Sequence, residues 1–163
     1  MDGGGASIAA MLNLEHRIPP PLVGLVIAAA MWAVAALPPA LAVAPGPRQV
    51  LVGLLVVAGL AFDLCGFIAF RRLRTTVNPL RPENASALVT GGVYRFTRNP
   101  MYVGMALLLT AWAVQLSSPW AFVGPVAFIL YINRFQIVPE ERALRELFGE
   151  AWAAYAARVR RWL

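Results

Sequence analysis

From Leu22 to Ala44 the chain runs for 23 residues without a charged side chain. A helix rises about 1.5 Å per residue, so a run of this length can cross a hydrocarbon core about 30 Å thick. Three more runs follow: Val50 to Phe70, interrupted only by Asp63, then Met101 to Leu116, then Trp120 to Val138. In lipid a backbone has to satisfy its polar groups within itself, so runs of this kind predict helices. Pro38 and Pro39 are expected to kink or end the first run early, and Pro45, Gly46, Pro47 and Arg48 to form a tight turn. The expected arrangement is two helical hairpins, with spans at about 22–44 and 50–70, then at about 100–116 and 120–138 across the short Ser117, Ser118, Pro119 connection. Composition agrees, at 13% charged residues against about 25% in a soluble domain.

Beyond residue 140, apolar side chains recur at 144, 147, 148, 151, 152, 155, 159 and 162. That three-and-four spacing predicts an amphipathic helix over 140–162 lying along a membrane surface, with a bend at Gly149. The fold class read here is an all-α integral membrane protein: about four transmembrane helices in two hairpins plus a C-terminal amphipathic helix. Residues 1–21, Gly-rich and carrying Asp2 and Glu15 before Arg17, lack the basic start and short apolar core of a signal peptide. They read as a flexible or interfacial leader to a single membrane domain over 22–163.

All 14 basic residues are arginine, giving a net charge of +6. They gather at the ends of the apolar runs, which points to a lipid bilayer with anionic headgroups as the partner, and away from nucleic acid. Arg71, Arg72, Arg74, Arg81, Arg95 and Arg98 crowd the loop between the hairpins against one acid, Glu83, and five more follow residue 140. Arg-rich short loops stay in the cytoplasm, so the expected topology is multi-pass with both termini inside, as in a bacterial inner membrane. The loop and the tail are then expected to meet at one membrane face. His16 is the only histidine and Cys65 the only cysteine, which argues against a metal site, a disulfide and a Ser-His-Asp triad. No phosphate loop or dinucleotide fingerprint is present.

Several residues invite chemistry, each with a plainer reading beside it. Leu88, Val89 and Thr90 before Gly91 and Gly92 read as a short extended piece and a turn. Asn99 and Pro100 have the residue types of a helix N-cap and first helical position, which can simply start the third span or can present free N–H groups to an anion, with Arg95 and Arg98 nearby. Tyr94 and Tyr102 are interfacial anchors or the walls of a planar ligand's site. Glu140 and Glu141 favour the start of the tail helix, or one of them faces inward toward a hydroxyl or ammonium group. Arg134 can snorkel, whereas Gln136 fits that explanation less well. Asp63, deeper still, is a functional candidate, or it pairs with an arginine of the long loop or is simply protonated.

The run from Leu88 through Thr97-Arg98-Asn99-Pro100-Met101-Tyr102-Val103-Gly104, followed by Glu140-Glu141, Leu144, Phe148-Gly149, Tyr155 and Val159, resembles the isoprenylcysteine carboxyl methyltransferase family. The likeness covers about Ala85 to the end. It implies a membrane methyltransferase using S-adenosylmethionine, with Leu88, Val89, Tyr94, Asn99, Pro100, Tyr102 and Glu140 at cofactor-contacting positions. Asn99 stands where many members have His. Gln136 stands where the prenylcysteine enzymes have a substrate-contacting Arg, with Arg134 two residues earlier, so these two are the candidates to face a lipophilic small-molecule acceptor such as a prenylcysteine carboxylate. A phospholipid amine or a small thiol is the alternative acceptor. A sterol-reductase-like activity and a non-catalytic carrier or partner-binding protein are the remaining alternatives.

Overall fold

The computed structural model describes residues 18–73 and 87–163. Residues 1–17, with His16 and most of the leader, and the loop residues Arg74, Arg81 and Glu83 lie outside the described residues. Among the described residues five α-helices make up the framework: α1 (Pro20–Val34), α2 (Pro45–Leu73), α3 (Pro100–Leu116), α4 (Val123–Ile132) and α5 (Val138–Arg158). No strand occurs among the described residues. Among the described residues two helices are long and apolar enough to cross a membrane, Pro45–Arg72 and the continuous helical stretch Pro119–Arg158; α1 and α3 are shorter apolar helices. Leu25, Trp32, Leu54, Val57 and Leu130 stand more than half exposed on these helices, which is the surface of a membrane protein, whose outward face meets lipid.

The expected boundaries shift at the prolines. The helix of the first run starts two residues early, at Pro20, and is only 15 residues long, about 22 Å, because Pro38 and Pro39 bring it to an end short of Ala44. The expected turn at Pro45–Arg48 is instead the first turn of α2, where a proline without an N–H costs nothing. The first expected hairpin also fails to pack: α1 lies against α3 and α4, while α2 packs along the other side of α3. The reason is visible in the glycines. Gly59, Gly66 and Gly104 are buried, and a Cβ added at Gly104 would lie 2.7 Å from the Gly59 carbonyl oxygen and collide with the Asp63 carboxyl. Small residues let α2 and α3 approach closely, as helices do inside membranes.

The second hairpin does form. Ser117 takes the left-handed conformation at the end of α3 (φ 51°), Pro119–Phe122 makes a 3₁₀ turn, and α4 returns along α3. The Leu41 N–H and the Arg48 guanidinium both donate to Ser117, at 2.7 and 2.9 Å, tying the start of α2 to this turn. A core of Met31, Tyr102, Leu109, Ala113, Phe128, Ile132 and Ile137 fills the centre. The fourth run and the tail are one continuous helical stretch, joined by a π-helical turn at Asn133–Ile137. Pro139 has no N–H for the Phe135 carbonyl and its ring crowds that group, a sufficient reason for the wider turn. The tail helix breaks at Gly149 (φ 48°, ψ −118°), where the bend was expected, and ends at Arg158.

Candidate functional site

The loop before α3 and the C-terminal tail, some sixty residues apart in sequence, lock together. Gly92–Arg95 forms a 3₁₀ turn that buries Tyr94, whose ring meets Phe70 of α2 edge-on at 5.5 Å. The Tyr155 hydroxyl donates to the Tyr94 carbonyl at 2.8 Å. Next along the loop, the Arg98 N–H donates to the Arg160 carbonyl at 2.9 Å. The Arg98 guanidinium donates to the carbonyls of Ala156 and Val159, at 2.9 and 2.8 Å, and to Glu141 Oε1 at 2.7 Å. A guanidinium at these last carbonyls is stabilised by the helix dipole of α5. It also lies 5.7 Å from the centre of the Trp152 ring.

Asn99 holds the N-cap position of α3, but its side chain does not cap the helix. Its amide donates instead to the Arg161 carbonyl at 2.9 Å, and Pro100 behind it is buried under Gly66 of α2. The first turn of α3 therefore keeps N–H groups that no side chain has taken. Two residues on, the Tyr102 hydroxyl donates to Glu140 Oε1 at 2.6 Å. Tyr102 is buried, so the Glu140 carboxyl is turned inward from the start of α5. Burial pushes that carboxyl up to about 8, a rise that Glu141 reinforces and the Tyr102 hydrogen bond only partly offsets. Burial works on Glu141 in the same direction, but the hydrogen bonds and charges of Arg161 and Arg98 outweigh it and hold that carboxyl low. Tyr94 is raised, chiefly by burial and then by Tyr155 and Glu140, and burial lifts Tyr155 to about 12.

The expected site residues thus fall into two groups. Tyr94, Asn99, Pro100, Tyr102 and Glu140 converge around the start of α3, with Val89 buried and Leu88 half-buried on the approach to the 3₁₀ turn. Arg134 and Gln136 ride on the π-helical turn. Gln136 is fully buried, donates from Nε2 to the Ile18 carbonyl at 2.9 Å, and keeps its Oε1 without a partner among the described residues. Arg134 is exposed, with its guanidinium 5.3 Å from the Phe135 ring. Asp63 lies on the α2 face toward Gly104 with one buried oxygen unpartnered. Sequence reasoning missed Arg161, Asn133, Thr97 and Phe70. Arg161 grips both oxygens of Glu141 and donates to Asn133 Oδ1 at 3.0 Å. The only hint in the sequence was an arginine pair after an amphipathic helix.

An inward-turned carboxyl that has the Tyr102 hydroxyl as its donor suits a cation. Beside it, a helix start that no side chain caps suits a carboxylate, and nothing stands within 4 Å of a Cβ built at Gly91 or Gly92.

A family model described as phospholipid methyltransferase matches residues 47–151. An uncharacterized protein of Haemophilus influenzae is 44% identical over 63 residues, 39% of this chain and 100% of that protein. Protein-S-isoprenylcysteine O-methyltransferase B of Arabidopsis thaliana is 31% identical over 108 residues, 64% of this chain and 53% of its own. A probable protein-S-isoprenylcysteine O-methyltransferase of Oryza sativa subsp. indica is 34% identical over 112 residues, 66% of this chain and 57% of its own. The chain spans little more than half the length of these plant relatives. No solved structure matches it significantly.

Proposed function

The chain belongs to the phospholipid methyltransferase family, and from that premise we propose that it transfers a methyl group from S-adenosylmethionine to a lipophilic acceptor at the cytoplasmic face of a membrane. The observation that carries the reading is the hydrogen bond from the buried Tyr102 to the inward-turned Glu140 carboxyl beside the uncapped start of α3. In this reading the chain crosses the bilayer four times with both termini cytoplasmic, as in a bacterial inner membrane, so that the loop and the tail share one face.

S-adenosylmethionine supplies an activated methyl group on a positively charged sulfur. Glu140, held by Tyr102, offers the negative charge that binds such a cation. The N–H groups of the first α3 turn orient its carboxylate, with Asn99 and Pro100 fixing where that turn begins. Tyr94 forms a wall, and Leu88 and Val89 give an apolar edge that excludes water. Arg134 and Gln136 orient the acceptor as it arrives laterally from the bilayer. Methyl transfer is an in-line displacement, so alignment of the two reactants carries most of the work and can supply about 7–11 kcal/mol in favourable cases. No general base needs to be found among these residues for an acceptor that is already a carboxylate or thiolate.

The relatives' names favour a prenylcysteine carboxylate as acceptor. Gln136 carries no charge, so Arg134 would have to meet that carboxylate alone. A phospholipid amine or a thiol needs no such counter-charge and is the second reading that Gln136 favours. The test is calorimetric titration of the detergent-purified protein with S-adenosylmethionine and with S-adenosylhomocysteine. Saturable binding that disappears in Tyr102→Ala and Glu140→Ala is expected; no binding at millimolar ligand would replace this reading with a carrier or partner-binding role.

A further inference from the structure

The mechanism above uses neither Glu141 nor the C-terminal arginines, yet the contacts between loop, tail and helix converge on one residue. Arg161 holds Glu141 through a two-point fork, Nε to Oε1 at 3.0 Å and Nη2 to Oε2 at 2.5 Å. Its remaining nitrogen, Nη1, donates to Asn133 Oδ1 at 3.0 Å. Its own carbonyl accepts hydrogen bonds from Thr97 Oγ1 at 3.0 Å and Asn99 Nδ2 at 2.9 Å. Each of these partners sits beside a group assigned above. Asn99 immediately precedes α3, Glu141 follows Glu140, and Asn133 opens the π-helical turn that carries Arg134 and Gln136.

We propose that Arg161, acting through Glu141, Asn99 and Asn133, is a positioning residue that keeps the cofactor-binding half and the acceptor-facing half of the site in register. The inference rests on the cofactor reading above. The planar guanidinium suits the task because its donors point in fixed directions, two to a carboxylate and one beyond it, whereas an ammonium reaches one acceptor as a point charge. Arg98 also holds Glu141 at 2.7 Å, so loss of the Arg161 side chain does not strand that carboxylate without a cation. The expected consequence is a site that loosens while the helices stay assembled.

The experiment measures the Kd of S-adenosylhomocysteine by calorimetry on the full detergent-purified chain, with melting temperatures recorded for every variant. Arg161→Ala is expected to weaken binding about tenfold or more. Arg161→Lys should recover part of that loss, because its ammonium still reaches one Glu141 oxygen. Asn133→Ala leaves the Glu141 fork intact and should weaken binding by a smaller factor, about two- to fivefold. If Arg161→Ala fails to fold, the lysine and Asn133 variants carry the test. Wild-type affinity in both of them overturns the inference, and so does an equal loss in Arg161→Ala and Arg161→Lys that follows their melting temperatures. A wild-type protein that does not bind overturns the cofactor reading and this inference with it, whereas variants that bind as well as a competent wild type overturn this inference alone.

Discussion

Replacing Glu140 with glutamine perturbs the site at the group that its surroundings strain most. The Glu140 carboxyl is pushed up to about 8, so at pH 7 about nine molecules in ten carry the proton there. A cation placed beside the carboxyl favours the ionised form. Binding of S-adenosylmethionine at pH 7 is therefore expected to expel about 0.9 proton per site. Calorimetry in phosphate and in Tris reads this directly, because the buffer takes up the released protons and adds its own heat of protonation, different for the two buffers, to the signal. The wild type should show the buffer dependence and Glu140→Gln should lose it. The affinity change is smaller than the loss of a charge alone would suggest. A hydrogen bond or contact to an ionised group contributes about 1.5–3 kcal/mol, but deprotonating the wild-type carboxyl at pH 7 costs about 1.4 kcal/mol, leaving a weakening of up to about tenfold. No buffer dependence in the wild type, or the same dependence in Glu140→Gln, would refute the reasoning.

The two neighbouring carboxyls should move stability with pH in opposite directions. Glu140 rises from an ordinary value of 4.5 to about 8, so its contribution is fully present below about pH 4.5 and is lost as pH rises through 8. Glu140→Gln without ligand should thus melt above the wild type at about pH 9, with the difference shrinking toward pH 5. Glu141 is held low, so Glu141→Gln should cost stability at pH 7 and cost less as the pH falls below about 4.5 and the wild-type carboxyl is itself protonated; the reverse ordering in thermal melts would contradict both assignments. Gly104→Ala places a methyl against the Asp63 carboxyl and 2.7 Å from the Gly59 carbonyl oxygen, and should destabilise the α2–α3 pair by about 1–3 kcal/mol. Gly53→Ala, with nothing within 4 Å, should leave the melting temperature unchanged or slightly raised, and equal effects from the two would refute the close-packing account. Gly149→Ala meets no neighbour but forces an L-residue to φ 48°, ψ −118°, so a loss of about 1–3 kcal/mol is expected from backbone strain alone; an unchanged melting temperature would show that the kink is not required.

Charge-free runs and proline positions made the helices and the second hairpin legible in the sequence. The partners of α1 and α2 were not, because both helices are apolar all round and periodicity then says nothing about which face packs. Glycines decided it: Gly59, Gly66 and Gly104 shape one groove between α2 and α3, but they are spaced among other small residues that leave no mark in a hydropathy pattern. The Pro45–Pro47 segment reads equally well as a turn or as a helix start, and only its tie to Ser117 resolves it. At the site, Tyr102 and Glu140 were each legible as candidates, but not their contact, which joins two elements 38 positions apart. Arg161 was hidden because a charged residue near a chain end reads first as a solvated or headgroup-facing one, and its role depends on contacts with Asn133, Glu141 and the loop at Thr97 and Asn99. Gln136 was singled out as a departure from family pattern, and the structure adds its contact with the Ile18 carbonyl.

The central claim is methyl transfer from S-adenosylmethionine to a membrane-borne acceptor, and it is tested most directly by supplying methyl-labelled S-adenosylmethionine to the purified protein in liposomes. The vesicles would carry a prenylated cysteine with a free carboxylate in one set and phosphatidylethanolamine in another. The account predicts label in the lipophilic fraction of at least one set, carried there by the wild type and, with S-adenosylmethionine held below its wild-type Kd, reduced in Tyr102→Phe and Glu140→Gln. Absence of label from every lipophilic fraction, from a protein that also fails to bind the cofactor, would contradict it.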